Sequence, residues 1–487
     1  MSYRLFQIAF VAAIAVATTT FTSAFGTTLT DAWSVAELPG FGVEGSPTYC
    51  DLDGDGQDEA IVPAAWPLPG FGDLSYMNVI DPATGTPVFT TPPGTAGFSH
   101  PICRDVNDDG TLDIITAGRF EDVYALSGVD GSRLWALTDQ HPDAPMGNIY
   151  APVGVPQHPD LLFVTTGGGG EQDVGGPRNP GGILAINTDG ELLARWAEPN
   201  QAEVYSSAAV VAAGQDPRNI LVVFGSGGET LPGSLHFLIY NRTFKKFVPI
   251  AEIPTACDSG GYIPSPVIGD ITGGILHLPE VVAADMCGNV AAFTFWGHEL
   301  WRRTITPRYI VSNPVLVNLD GKKGYDVVVA GSAFNFSLPE TYFERESVVA
   351  AFRGKDGAPL WSATLDLPVT SSPVTADADG DGTEDIWVAH LLPGFTGPPD
   401  PSYLQVLSGK SGSPLLSYGN VNWAGTPVIG DADGDGSLDV LIQDAPADFG
   451  GTILESETRL ISLDGVPFDP DASYSGFRGI NHDGYRR

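Results

Sequence analysis

Lysine is nearly missing from this chain: six occur in 487 residues, as Lys245, Lys246, Lys322, Lys323, Lys355 and Lys410. With arginine included there are 23 basic side chains against 59 acidic ones, a formal net charge of −36. Gripping a phosphate backbone takes clustered Lys and Arg, so a nucleic-acid partner is excluded. Beyond the first two dozen residues no run of 18 apolar residues occurs, so the rest of the chain carries no membrane-spanning segment. Stretches free of glycine and proline are short, because 60 Gly and 40 Pro are spread along the sequence. That excludes a mainly helical protein. What is present is a 43% hydrophobic content with only 17% charged residues, enough apolar material for a core. The composition describes an acidic, loop-rich β protein.

Residues 1–24 read as a signal peptide: Arg4, an apolar run over residues 5–17, then small residues up to Ala24. Thirteen apolar residues fall short of the roughly 20 that span a membrane. An uncleaved anchor is the alternative. Residues 25–487 are then one exported domain, secreted, extracellular or at the cell surface, with the periplasm also open. Export permits disulfides among Cys50, Cys103, Cys257 and Cys287.

One phrase recurs along the chain: a small polar residue, Pro, a short apolar strand, an Asp-rich loop, then a β-branched strand. It begins at Ser46, His100, Ala151, Ser265, Asn313, Ser372 and Thr426, with a degenerate copy at Ser207, an average spacing of about 54 residues. A hairpin follows in each unit, clearest around Asp130-Gly131, Asp189-Gly190 and Asp356-Gly357. Trp135, Trp196, Trp301 and Trp361 recur on the outgoing strand, where core packing between sheets explains them. Four strands per unit and eight units predict an all-β, eight-bladed β-propeller of four-stranded antiparallel blades, with a seven-bladed ring as the alternative. The segment Trp33-Ser34-Val35 resembles an outer strand and is expected to complete the last blade, closing the ring.

Four of the Asp-rich loops share the pattern D-x-[DN]-x-D-G-x-x-[DE]. They are Asp51, Asp53, Asp55, Gln57 and Glu59; Asp105, Asn107, Asp109, Thr111 and Asp113; Asp377, Asp379, Asp381, Thr383 and Asp385; and Asp431, Asp433, Asp435, Ser437 and Asp439. Side chains at positions 1, 3, 5 and 9 converge if the chain curls tightly, a glycine at position 6 permits the curl, and position 7 offers a backbone carbonyl. Hard oxygen donors in such a loop suit Ca²⁺, giving about four structural sites. They are not EF-hands, since position 12 holds Val62, Thr116, Val388 or Ile442 in place of a bidentate Glu. In the sixth unit Lys322 replaces a ligand and is expected to hold Asp320 and Asp326 in place of the ion.

These loops resemble FG-GAP/VCBS repeats, the calcium-loop blades of integrin α-subunit heads and many bacterial surface proteins. The hairpin phrases, such as Val123-Tyr124-Ala125-Leu126 through Trp135, resemble the quinoprotein-type (PQQ-like) repeat. The resemblance spans nearly all of the chain and implies a calcium-bearing propeller, a fold that hosts many activities.

In a propeller the Asp-rich loops and the hairpin turns share one face, and the long irregular loops share the other. Cys257 and Cys287 both fall on the second face of one unit, the preferred disulfide. Cys50 and Cys103 end neighbouring inner strands, but in registers that can aim them apart, so that pairing stays open. The sequence holds no Gly-x-Ser-x-Gly, His-Glu-x-x-His or phosphate loop. The reading is therefore a monomeric, non-catalytic binding or adhesion module for an extracellular protein or glycan. The alternative is a glycan-active, polysaccharide lyase-like enzyme using His100, Tyr150, Tyr205, Arg308 or Tyr309 on the long-loop face. A PQQ-dependent dehydrogenase comes third, because that family uses vicinal cysteines and none are adjacent here.

Overall fold

Eight antiparallel sheets, each of at least four strands, are laid out along the chain of this computed structural model. It describes the chain from Phe21 to Arg486 except residues 23–27, 37–45, 65–75, 96–99, 118–121, 144–150, 169–178, 214–215, 229–230, 259, 275–277, 306–311, 335–342, 367, 370, 391–402, 420–424, 445–456 and 471–484. The ring has eight blades. The first is Thr48–Cys50, Glu59–Ala64, Tyr76–Asp81 and Thr86–Thr90, in that order from the inner edge outward. Six more repeat this order without crossover. Inner strands of three or four residues suit the crowded centre, and outer strands of up to nine residues cover the wider rim. Among the described residues the one helix is the four-residue turn Leu137–Gln140, and no helix is long and apolar enough to cross a membrane.

The eighth blade is built from both ends of the chain. Val428–Gly430, Ser437–Asp444 and Glu457–Pro467 supply three strands, and the N-terminal strand Thr28–Ala36 supplies the outer one, antiparallel with Trp33 opposite Leu460. The closing strand is held on both flanks. Tyr418 of the seventh blade hydrogen-bonds Asp31, and Trp33 Nε1 donates to Pro82 O of the first blade at 2.5 Å. Phe21–Thr22, inside the segment read as leader, adds two residues to the outer edge of this sheet.

The phrase that opens each unit has a structural task. The polar residue before the proline passes a hydrogen bond to the next blade: Ser207 N–H to Ser265 Oγ (3.0 Å), Ser265 N–H to Asn313 Oδ1 (2.7 Å), Asn313 N–H to Ser372 Oγ (3.1 Å) and Ser372 N–H to Thr426 Oγ1 (3.1 Å). This belt satisfies buried backbone donors at the start of the inner strands, where water is excluded.

At the rim, the tryptophans lock neighbouring blades. Trp135, Trp301 and Trp361 each donate Nε1–H to a backbone carbonyl one blade on: Thr188 (2.9 Å), Gly354 (2.6 Å) and Gly409 (2.7 Å). Their rings lie under the next hairpin turn, where a Cβ on Gly190, Gly357 or Gly412 would stand 2.5–3.0 Å from the indole. Trp196 is placed differently, 5.8 Å from Phe224 and 5.0 Å from His236 between ring centroids. Its hairpin runs two residues longer from Asp189 to Trp196 than from Asp130 to Trp135, which carries the ring past the turn.

Both disulfides are formed. Cys257–Cys287 joins the two loops assigned to it, and Cys50–Cys103 ties the inner strands of the first and second blades with Cα atoms 6.4 Å apart. At the other end of the chain, Tyr485–Arg486 adds a parallel two-residue strand to the inner edge of the fifth blade, Ile268 opposite Tyr485.

Candidate metal centre

The four Asp-rich loops join inner strands to second strands on one face, in the seventh, eighth, first and second blades. These four blades are neighbours once the ring is closed. All four loops use one hydrogen-bond plan. The position-1 carboxylate accepts the N–H of the position-6 glycine: Asp51 from Gly56 (3.1 Å), Asp105 from Gly110 (3.0 Å), Asp377 from Gly382 (2.8 Å) and Asp431 from Gly436 (3.0 Å). Those glycines have φ between 82° and 92°, and a Cβ on any of them would meet nothing within 4 Å. Glycine is thus required for its left-handed backbone, not for space. The position-5 carboxylate accepts the N–H of position 7, from Gln57, Thr111, Thr383 or Ser437. The position-9 carboxylate reaches back to the N–H of position 2: Glu59 to Leu52, Asp113 to Val106, Asp385 to Ala378 and Asp439 to Ala432.

This plan gathers carboxylate oxygens. In three loops, Asp51–Asp53–Glu59, Asp377–Asp379–Asp385 and Asp431–Asp433–Asp439, one oxygen from each residue lies within 4.8 Å of the others. Positions 1, 3 and 9 form the cluster, while the position-5 aspartates Asp55, Asp381 and Asp435 stand outside it. In the second loop Asn107 Nδ2 donates to Asp109 Oδ2 at 2.8 Å, a bond between two of the expected ligands. Crowding has an electrostatic cost. Burial, with repulsion from Asp379 and Asp377, pushes the Asp385 carboxyl up to about 7, and burial with Asp433 pushes Asp439 up to about 6. Glu59 and Asp113 are raised by the same cause. Oδ1 of Asp431 is buried without a hydrogen-bond partner. An all-oxygen donor set with a lone pair left unmet fits a hard divalent cation.

The remaining blades hold these loops with the chain's own groups. Arg242 reaches from the fourth blade to His158 Nδ1 (2.8 Å) and Asp160 (2.7 Å) of the third. Arg218 pairs with Asp216 (2.8 Å) in the fourth. In the fifth, Glu280 accepts from Ile271 N–H and Thr272 Oγ1. In the sixth, Lys322 Nζ lies 2.5 Å from Asp320, as expected from sequence. Asp326 departs from that expectation: its carboxylate accepts the N–H groups of Leu319 and Gly354, because it is buried beneath the loop. Lys410 adds a cation to an otherwise complete loop, 2.8 Å from Asp381.

Beside the first loop, a cleft of about 490 Å³ opens toward the second blade, lined by Asp53, Asp58, Asp81, Val88 and Val129 among others. On the opposite face, His100 is buried with Nδ1 3.3 Å from Ser46 O, a place in the inner-strand belt. Tyr205 is half-buried. Tyr150, Arg308 and Tyr309, with most of the long loops, fall outside the described residues. Sequence reading passed over a buried group here: Ser226 Oγ is 2.9 Å and Glu198 Oε1 3.7 Å from the same nitrogen, His236 Nε2. A nucleophile relay needs its serine and carboxylate on different imidazole nitrogens. Burial pushes the His236 pKa down to about 4 against the pull of Glu252, so the ring is neutral and the Glu198 contact is not an ion pair.

No family model matches the chain, and no curated protein matches it. Solved structures do. The quinohemoprotein alcohol dehydrogenase from Comamonas testosteroni aligns over 91% of this chain and 79% of its own, at 15% identity and TM-score 0.54. A europium-containing methanol dehydrogenase aligns over 89% and 93%, at 11% identity and TM-score 0.56. The C-terminal WD40 domain of Sif2 aligns over 91% and 100%, at 12% identity and TM-score 0.51. At these identities the likeness concerns the fold. It accords with the quinoprotein-type character of the hairpin phrases.

Proposed function

We propose that residues 25–487 form an exported, calcium-stapled propeller that serves as a non-catalytic binding module for an extracellular protein or glycan. The observation that carries this reading is repetition: three carboxylate clusters of one design stand in three adjacent blades, the seventh, eighth and first. A catalytic ion is needed once, whereas a staple is useful in every blade whose loop carboxylates repel one another. Calcium would be held by the residues at positions 1, 3 and 9, and it would supply the positive charge that Arg242, Arg218 and Lys322 supply elsewhere. The face opposite the loops is the binding surface in this reading, since long loops on a rigid scaffold are the usual place for recognition.

Calorimetric titration of calcium into chelator-stripped protein, followed by a glycan array and a screen of extracellular proteins with the loaded form, tests it. Several sites of similar affinity are expected, with ligand binding and no turnover. No heat of calcium binding overturns the staple, and depolymerisation of any glycan replaces the module with the enzyme reading.

A second reading, redox chemistry on a quinone cofactor, draws on the fold shared with the alcohol and methanol dehydrogenases. The residues present do not fit it well: all four cysteines are committed to bridges between separate segments, so no vicinal pair exists. Alcohol-dependent dye reduction after addition of the quinone would favour it.

A further inference from the structure

Two buried polar atoms without partners flank the seam between the eighth and first blades: the hydroxyl of Tyr49 on one side and Oδ1 of Asp431 on the other. Tyr49 is the middle residue of the first blade's inner strand, and its ring leans across the seam onto the eighth blade. Gly430, the residue before Asp431, makes room for it, since a Cβ there would stand 3.0 Å from the ring. The two loops also approach each other at Gly434 and Gln57, where the corresponding separation is 3.9 Å. The carboxylates whose charge bears on Tyr49 include Asp439 and Asp433 of the eighth blade's cluster. A phenol hydroxyl is a donor and an acceptor at once.

The carboxylates beside it are largely occupied. Asp439 accepts from Ala432 N–H and from Ser462 Oγ, and Asp433 Oδ1 accepts from Asp435 N–H. Leaving a buried hydroxyl and a buried carboxylate oxygen unmet is unfavourable, so a partner for each is favoured. A cation among Asp431, Asp433 and Asp439 would meet the lone pair of Asp431 directly, and the water or carboxylate around that cation would meet the phenol.

We propose that Tyr49 belongs to the eighth blade's ion site, its hydroxyl completing the outer shell across the seam, so that ion binding and packing of the seam where the ring closes are one equilibrium. The proposal rests on the calcium reading above. It singles out one site, because the matching residue two positions after the proline of the following blade is Ile429 for the seventh loop and Cys103 for the first. Neither can donate an O–H. Tyr49 is thus a positioning residue for the ion.

Terbium, whose luminescence is excited through nearby tyrosine, serves as the calcium probe on the full exported chain. Tyr49→Phe keeps the ring and its packing, and Tyr240→Phe, in the fourth blade, controls for loss of a buried hydroxyl elsewhere. The expected result is that Tyr49→Phe binds one ion about tenfold more weakly and loses the tyrosine-excited component of that ion's luminescence. The other ions bind as before, and Tyr240→Phe matches the unaltered chain. In an Asp431→Asn background, which removes the same ion, adding Tyr49→Phe changes nothing further. If Tyr49→Phe titrates and luminesces like the unaltered chain, Tyr49 only packs, and this proposal falls while the calcium reading stands. If the unaltered chain takes up neither terbium nor calcium, both fall together.

Discussion

Lys410 is one of six lysines, and from the hairpin turn of the seventh blade it reaches Asp381 of the Asp-rich loop at 2.8 Å. It competes for charge with any ion bound there. Lys410→Gln is expected to raise the calcium affinity of the seventh blade about threefold to tenfold, read by calorimetry at low ionic strength, with the gain shrinking as salt is added. His236 makes a prediction of the opposite kind, about protons. Its folded pKa, pushed down to about 4 by burial, lies below the ordinary 6.5 it regains on unfolding. Between those values the unfolded chain binds the proton first, so stability falls as pH drops from 6.5 toward 4, by at most about 1.4 kcal/mol per pH unit. Comparing calcium-saturated protein with His236→Gln by urea unfolding should show this slope in the former and a flatter one in the latter.

At the scale of single elements, two kinds of glycine do different work. Gly412 ends a hairpin turn pressed onto Trp361, where a Cβ would meet the indole at 2.5 Å. Gly382 lies in a metal loop with open space around it and φ of 82°. Gly412→Ala is therefore expected to destabilise by roughly 2 kcal/mol or more whether or not calcium is present, since the indole and its bond to Gly409 O must shift. Gly382→Ala strains only its own backbone, about 1–2 kcal/mol, and that strain falls on the curl that gathers Asp377, Asp379 and Asp385. Its main effect should be weaker calcium binding at one site, measured by titration, with little change in the chelated protein. The hairpins and the loops were legible in the sequence because their glycines sit at fixed offsets. The carbonyl partners of Trp135, Trp301 and Trp361 were not, because each lies about fifty residues away on the next blade.

At the scale of the whole molecule, the ring divides into two arcs. The seventh, eighth, first and second blades carry the Asp-rich loops, and the third, fourth and sixth hold their loops with Arg242, Arg218 and Lys322. Calcium should therefore act on half the ring. At a hundred times its dissociation constant each bound ion adds about 2.7 kcal/mol, so several sites together shift the melting temperature well beyond experimental error. Thermal melting with calcium and with chelator checks this, and an unchanged melting temperature would remove the staple. The two disulfides remain under chelator, one of them between the first two blades. Partial unfolding on calcium removal is accordingly expected to begin in the seventh and eighth blades, detectable by faster hydrogen exchange there.

The sequence by itself determined the four-strand unit, the strand order and the closing of the ring by the segment at Trp33, because each rests on a repeat of about 54 residues whose patterning and turn residues act locally, while the choice of eight blades over seven came from the structure. It also determined which side chains stand in the loops. Only the tertiary structure decided which of them converge: positions 1, 3 and 9 cluster, position 5 turns to a backbone N–H, and Asn107 bonds to Asp109. It alone paired Cys50 with Cys103, since that bridge depends on how two neighbouring inner strands face each other. It alone brought Tyr49 to Asp433 and Asp439, residues almost 400 positions apart, because the closed ring lays the first blade against the last. Local patterning sets the blades, and contacts between blades are set by the circle that the blades complete.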